Sequence, residues 1–308
     1  MTLDFWVAMI ASSVTLTTPL IIAAMGENFS QQSGILNVGL EGFMLSGAMA
    51  GFAGTYYTGN PLIGFLCAIL IGMALAAIHA FVSINIGASQ FASGLGIYIF
   101  AFGITAFWYR VMLGDTVSKV MEINSLASYN IPLLSKIPIV GPIIFQHDPI
   151  VYAALLMVPL CHFIVYYTKL GLTIRAVGNN PLASESLGIK VYRIRYIGTL
   201  LSGAFGGLAG GYLTIQYIHI FISGITNGKG FVVLALLIVG NWNPLKILGA
   251  ALIFGFIDTL QLRLPVLQLG VPFEFLMMLP YIITILILSM FRKVSMPRYL
   301  AVAYKKQK

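Results

Sequence analysis

Long apolar stretches separated by short polar joins run the length of the chain. They fall at about 5–25, 35–57, 61–83, 92–112, 150–168, 196–222, 231–240, 245–262 and 276–291. Most approach the roughly 20 residues that a membrane-crossing helix needs. The run Phe231–Gly240 does not. A helix of that length reaches about 15 Å, against a hydrocarbon core of roughly 30 Å. It must begin earlier, near Ser223, or form a half-helix that turns back inside the protein. Irregular backbone at membrane depth persists only where protein or a cavity surrounds it. The pattern predicts an all-α polytopic membrane protein of about 8–10 transmembrane helices, some broken or halved.

Composition removes the alternatives. Charged residues make up 8% of the chain and its mean hydropathy is +0.94, whereas a soluble domain carries about 25% charged residues to solvate its surface. Soluble, disordered and coiled-coil readings are excluded. The net charge of +8 would suggest nucleic acid if it were spread over one face. Instead residues 169–195 carry a net +4 and residues 292–308 a net +6, and the remainder is slightly acidic. Short basic segments flanking apolar runs are the positive-inside pattern, so both are assigned to the cytoplasm. Residues 113–149, net −1, go outside. Their stretch IPLLSKIPIVGPIIF (131–145) is broken by three prolines and reads as a surface-packed loop rather than a further span. Five runs before residue 169 then place the N-terminus outside. The opening MTLDFW lacks the basic start of a cleavable signal peptide, so the first run is retained.

The chain also repeats itself. SGILN (33–37) matches SGITN (223–227), and GNPLIGFLCAILIG (59–72) matches WNPLKILGAALIFG (242–255), in the same order. A repeat unit with an odd number of spans emerges inverted in the membrane. The expected layout is one transmembrane domain over 1–308. Its halves are 1–168 and 196–291, with a cytoplasmic loop at 169–195 and a basic tail at 292–308.

Little here supports covalent chemistry. Cys67 and Cys161 lie inside apolar runs, the four histidines are isolated, and the one Gly-Lys pair, Gly228-Lys229, lacks the flanking residues of a P-loop. Asn60-Pro61 and Asn243-Pro244 each open an apolar run as cap and first helical residue. Gly203, Gly207 and Gly211, with Gly47 and Gly51, have the spacing that lets helix backbones approach closely in lipid. Intramembrane charges are Glu41, Asp258 and Arg263, the last two read as an interface-level pair. Glu41 sits between Gly39 and Gly42, four residues after Asn37, where it could either line a pathway or satisfy backbone amides at a helix break. In 171–198, Asn180 as cap, Pro181, Glu185 and Gly188 as exit describe a short exposed helix suited to docking a partner.

Three segments, SGILNVGLEGFMLSGAM (33–49), RAVGNNPLASESLGI (175–189) and GKGFVVLALLIVGNWNP (228–244), resemble the permease subunits of bacterial ABC importers. They are most similar to the branched-chain amino acid and ribose superfamily, in its nucleoside and simple-sugar group. The resemblance implies a multi-pass protein of the bacterial cytoplasmic (inner) membrane. It implies three partners: an ATP-binding subunit that holds ATP and Mg, an extracytoplasmic substrate-binding protein or lipoprotein, and a second permease chain, paralogous or identical. This chain itself is expected to hold no cofactor or metal and to be no enzyme. Asn37, Glu41, Asn227, Asn243 and Tyr98 are the candidates for the substrate pathway. Arg175, Asn180, Pro181, Glu185 and Gly188 are those for coupling to the ATPase. Where relatives of this group carry Asn, this chain has Tyr98, which leaves the substrate, nucleoside or sugar, open. An ion-coupled secondary transporter of a small polar solute would show the same inverted repeats, with Glu41 as its titratable group.

Overall fold

The computed structural model describes residues 3–113, 122–130, 135, 137–267, 275–276, 278–279, 282–283, 285–286 and 295–305. The described residues are predominantly helical. Helix α1 spans Leu3–Gln32, α2 Leu40–Thr58 and α3 Pro61–Ala80, the last continuing as a π turn over Phe81–Ile86. Helix α4 spans Gln90–Leu113, α5 Val140–Ile144, α6 Pro149–Tyr167, α7 Lys169–Asn179 and α8 Pro181–Ser186. Helix α9 covers Val191–Tyr212 with a π turn over Leu213–Ile218, α10 covers Lys229–Val239 and α11 covers Pro244–Arg263. Strands β1 (Tyr129–Asn130) and β2 (Gln146–His147) pair antiparallel.

Four of these helices open alike. Asn60, Asp148, Asn180 and Asn243 each accept hydrogen bonds from amides of the first turn, and proline follows as the first helical residue. Proline has no amide to leave unpaired at that position, and the cap satisfies the amides that remain.

Helices α1, α3, α4, α6 and α11 are long and apolar enough to cross a membrane. Helices α2 and α9 are long enough but diluted by glycine and polar residues, because they are packed in protein rather than lipid. Helix α9 packs against both α2 and α3, and its glycines are the contact. A Cβ on Gly207 would lie 2.1 Å from the Ala68 carbonyl oxygen, and one on Gly210 would lie 1.8 Å from that of Met44. Gly47 and Gly72 meet the backbone of α9 as closely from the other two helices. The small-residue pattern thus packs three backbones at one point.

The run at 5–25 is extended by the structure into one helix reaching Gln32. The short run becomes the half-helix α10, which starts at Lys229 rather than near Ser223. In the 131–145 stretch, residues 131–134 and 136 lie outside the described residues, and 140–144 form only the five-residue α5. Most of the last apolar run, 276–291, also lies outside them.

Hydrogen bonds gather the helix ends into two layers. At one end Asn124 bonds the Gly59 carbonyl, Leu126 bonds Gln216, and Tyr212 donates to Asp148. At the other, Tyr196 bonds Asn85, and residues 295–305 dock on α7, α8 and the start of α9. The described residues of both basic segments, 169–195 and 295–305, therefore share one end, and the described residues 122–130 and 146–148 of the net-acidic connection lie at the opposite one. Between these ends α1, α2 and α3 run in directions opposite to α9, α10 and α11. The matched segments at 33–37 and 223–227 are the turns preceding α2 and α10, and the matched Asn-Pro pairs open α3 and α11.

Candidate functional site

The turn between α1 and α2 brings polar groups into the protein interior. Glu41, 2% exposed, sits in the first turn of α2. Its carboxylate accepts from Thr226 Oγ1 at 2.5 Å, the Gly228 amide at 2.8 Å and the Gly230 amide at 2.6 Å. These donors are the free first-turn amides of α10, together with the hydroxyl just before them. A half-helix ending inside a membrane protein leaves such amides, with the positive end of the helix dipole, in need of an acceptor. Glu41 supplies the missing acceptors. The approach requires Gly230, because a Cβ there would lie 2.5 Å from the Glu41 amide nitrogen. Of the two roles open to Glu41 from sequence, the geometry is that of the amide cap at a helix break.

Asn37 does not join it. The sequence allowed the two residues to share one helix face, but 33–39 is a turn and α2 starts at Leu40. Asn37 faces a separate network, in which its Nδ2 donates to Ser202 Oγ at 3.0 Å and Ser202 Oγ donates to Glu27 Oε2 at 2.6 Å. Glu27 also accepts from Gln31 Nε2 at 3.0 Å and from the Asn37 amide at 3.3 Å. Glu27 is fully buried, and sequence reasoning missed it. The polar run ENFSQQ (27–32) looks like a connecting loop. Its signal was the four-residue spacing of Glu27 with Gln31 and of Asn28 with Gln32, and both pairs bond along the helix.

That polar stripe also holds the α10–α11 turn. Trp242 Nε1 donates to Gln31 Oε1 at 2.8 Å, and Gln32 Nε2 donates to the Trp242 carbonyl at 2.9 Å. Asn241 and Trp242 have φ of 52° and 53°, a left-handed pair that side chains disfavour. The bonds from α1 keep the turn in place. Asn243 follows as the cap of α11, accepting from the Leu245 and Lys246 amides. It therefore sits at the basic end of the molecule, away from Glu41.

Of the predicted pathway residues Asn37 and Glu41 are buried, Tyr98 and Asn243 are half-buried and Asn227 is exposed; Tyr98 and Asn227 are the two with open surface beside the start of α10. Tyr98, on α4, stands edge-on to Phe231 in the first turn of α10, with ring centroids 5.4 Å apart. Asn227 lies exposed in the turn before α10, at φ 44°. Glu41 thus lies behind this surface and supports it, and Asn37 supports the α1–α2 turn. A cleft of about 350 Å³ between α2, α3 and α4 is apolar, walled by residues such as Met49, Leu75, Phe100 and Trp108, and includes none of the five.

Asp258 and Arg263 are not a pair. Lys229, at the start of α10, makes the ion pair with Asp258 at 2.8 Å, while Arg263 donates to Ser12 Oγ at 2.6 Å. Burial of half-helix α10 against α11 brings Lys229 to Asp258 from 29 residues away.

At the basic end, α8 is as its sequence describes. Asn180 Oδ1 accepts from the Ala183 amide at 3.0 Å, Pro181 is buried, and Gly188 leaves the helix at φ 81°. Leu187 is 81% exposed. Arg175, on α7, lies over the Tyr166 ring at 5.0 Å beside a polar cavity of about 230 Å³ that also includes Gln32, Asn179 and Asn241. Glu185 accepts from the Tyr304 hydroxyl. Burial of Tyr304, together with the Glu185 carboxylate beside it, pushes that phenol up to about 12.

Comparison with known proteins agrees with this architecture. A family described as branched-chain amino acid transport system / permease component matches residues 9–288. The guanosine ABC transporter permease NupQ of Bacillus subtilis is 36% identical over 97% of each chain. The nucleoside ABC transporter permease NupC of Lactococcus lactis subsp. cremoris is 33% identical, again over 97% of each. TsgC13 of Haloferax volcanii, assigned as a glucose ABC transporter permease, is 34% identical over 87% of this chain and 81% of its own. Among solved structures, an ABC transporter assigned to the metal-chelate type, in an inward-facing conformation, has the same fold. Its TM-score is 0.52 at 14% identity, covering 92% of this chain and 85% of that one.

Proposed function

Since the chain belongs to the permease component family of branched-chain amino acid transport systems, we infer that it is the membrane-spanning permease subunit of an ATP-driven importer for nucleosides or related simple sugars. The observation that carries this reading is end-to-end likeness to the two nucleoside permeases, each aligned over 97% of its length. The partners would be an ATP-binding subunit holding ATP and Mg, a substrate-binding protein or lipoprotein outside, and a second permease chain, identical or paralogous. The membrane is the bacterial cytoplasmic membrane. The basic end faces the cytoplasm and the start of α1 faces outward.

The work of this chain is mechanical and solvating rather than covalent. Exposed Leu187 and Leu182 on and beside α8 offer an apolar contact to the ATPase. Helix α7 next to it presses on the end of α1, where a Cβ on Gly178 would lie 2.0 Å from the Gln32 carbonyl oxygen. Helix α1 in turn holds Trp242, and so the lower end of α10, whose upper end bears Glu41 and Phe231. A push on α8 reaches the half-helix through packed backbone and bonded side chains, the kind of contiguous path that can carry coupling. Tyr98 and Asn227 would then face the solute as α10 shifts, offsetting its desolvation with ring contact and hydrogen bonds.

The test is uptake into proteoliposomes containing this chain with its ATPase, second permease and binding protein. ATP-dependent accumulation of guanosine, with nucleoside-stimulated ATP hydrolysis, is the expected result. Uptake by this chain alone under an ion gradient, without ATP, would refute the reading.

A further inference from the structure

The segment 295–305 is not a solvated tail. In eleven residues it bonds five separate elements. The Ser295 amide donates to Asn241 Oδ1 in the α10–α11 turn at 2.7 Å, and the Tyr299 amide donates to the Gly178 carbonyl of α7 at 2.9 Å. The Ala301 amide donates to the Gly34 carbonyl in the α1–α2 turn at 3.2 Å, and the Val302 carbonyl accepts from Arg195 Nη1 of α9 at 3.3 Å. Tyr304, 6% exposed, donates to Glu185 of α8.

The anchoring is built for this path. Arg195 is 1% exposed and lies over the Tyr304 ring at 5.7 Å, with Tyr192 edge-on to the same ring at 5.9 Å. Gly34, at φ 96°, makes room for it, since a Cβ there would lie 3.0 Å from Arg195 Nη2 and 3.1 Å from the Tyr299 carbonyl oxygen. Ala301 is held at φ 63°, a conformation that side chains disfavour and that the Gly34 bond maintains. The phenol of Tyr304 keeps its proton throughout the physiological range, so it always serves as donor.

We propose that Tyr304 is a positioning residue for ATPase coupling, and that segment 295–305 is a strap tying α8 to the α10–α11 turn, which follows the half-helix, and to the α1–α2 turn, which leads to Glu41, the cap of the half-helix. The strap fixes the Glu185 carboxylate on the inner side of α8 and leaves Leu187 outward for the ATPase. Displacement of α8 is thereby transmitted to the Gly34 and Asn241 turns directly, in parallel with the route through α7. The inference rests on the importer reading, and its test separates the two.

Tyr304→Phe keeps the ring packing and removes only the hydroxyl. Amide hydrogen exchange over 181–188 in the purified permease, which needs no ATPase, should accelerate about fivefold. In the complete complex, guanosine-stimulated ATP hydrolysis should fall about fivefold in kcat, with the KM for guanosine-loaded binding protein changed less than twofold. Glu185→Gln retains an acceptor for the phenol and should keep more than half of the stimulation. Unchanged exchange and unchanged stimulation in Tyr304→Phe would overturn the proposal, and so would faster exchange with full stimulation, which would leave the strap merely structural. Absence of nucleoside stimulation in the wild-type complex would sink the importer reading instead, while the exchange measurement still judges the strap.

Discussion

Glu41 offers the sharpest test of the site, because its three bonds separate substitutions that sequence alone would group together. A carboxylate has only acceptors, and here it meets two backbone amides and a hydroxyl. From sequence, Glu41→Gln should be nearly silent, since shape is kept. The structure revises that expectation. Whichever way the new amide is turned, its NH2 faces a backbone N–H, that of Gly230 in one orientation and that of Gly228 in the other. One bond is lost and two donors are opposed, which costs about 1–3 kcal/mol for a buried group. Glu41→Leu leaves both amides without an acceptor and removes the charge favoured at a helix N-terminus, about 3–6 kcal/mol when both bonds are weighted as charge-assisted. At about 2–4 °C per kcal/mol for chains of a few hundred residues, the apparent unfolding midpoint should fall by about 2–12 °C for Gln. For Leu it should fall by about 6–24 °C. The assay is thermal unfolding of the purified permease at a fixed scan rate, paired with guanosine uptake by the assembled complex. Uptake should persist in Gln and fail in Leu. Identical midpoints for wild type and Gln would refute the capping geometry. A Gln variant that assembles at the wild-type midpoint yet carries nothing would place an essential proton at Glu41 and overturn the account altogether.

Glycine substitutions should divide by what stands opposite them. Gly207→Ala or Gly210→Ala drives a methyl into a neighbouring backbone and should abolish stable insertion, whereas Gly249→Ala in α11 meets nothing within 4 Å and should be neutral or gain up to about 1 kcal/mol from helix propensity; expression and thermal midpoint read the difference. In a background lacking Cys67 and Cys161, cysteines at Ser186 and Lys305 should react only with reagents reaching the cytoplasm, and one at Ser125 only from outside. Ser184, on the same short helix, is 3% exposed and unsuited to labelling, and external labelling at Ser186 would reverse the orientation. Asn180→Ala removes the acceptor for the Ala183 amide and should loosen α8 by about 0.5–2 kcal/mol, seen as faster amide exchange confined to 181–188. The raised Tyr304 phenol contributes docking stability that is complete below its ordinary value near 10 and is lost as pH rises through about 12. Tyr304→Phe should therefore lower ATPase coupling without altering its profile between about pH 6 and 9, and an inflection there that the substitution removes would contradict this.

Much of this protein could be read from local sequence, because local chemistry decides it. Helix starts at Asn60-Pro61, Asn180-Pro181 and Asn243-Pro244 follow from a capping side chain and a residue without an amide, both within a single turn. Spans follow from apolar length, the shared end of the basic segments from charge, and the short α8 from cap, proline and exit glycine. The spacing of Gly203, Gly207 and Gly211 foretold close packing, though not that α2 and α3 would both use it. What only the tertiary structure decided are the pairings across distance. The cap of α10 comes from Glu41 nearly 190 residues earlier. Lys229 takes Asp258 in place of the nearer Arg263, and Asn37 turns toward Ser202 and a buried Glu27. The tail closes on α8 through Tyr304. Each of these satisfies a polar group removed from water, and sequence states that such a group needs a partner without saying which one. The choice is made when helices pack, because only then is it settled which donors and acceptors share the same dry space.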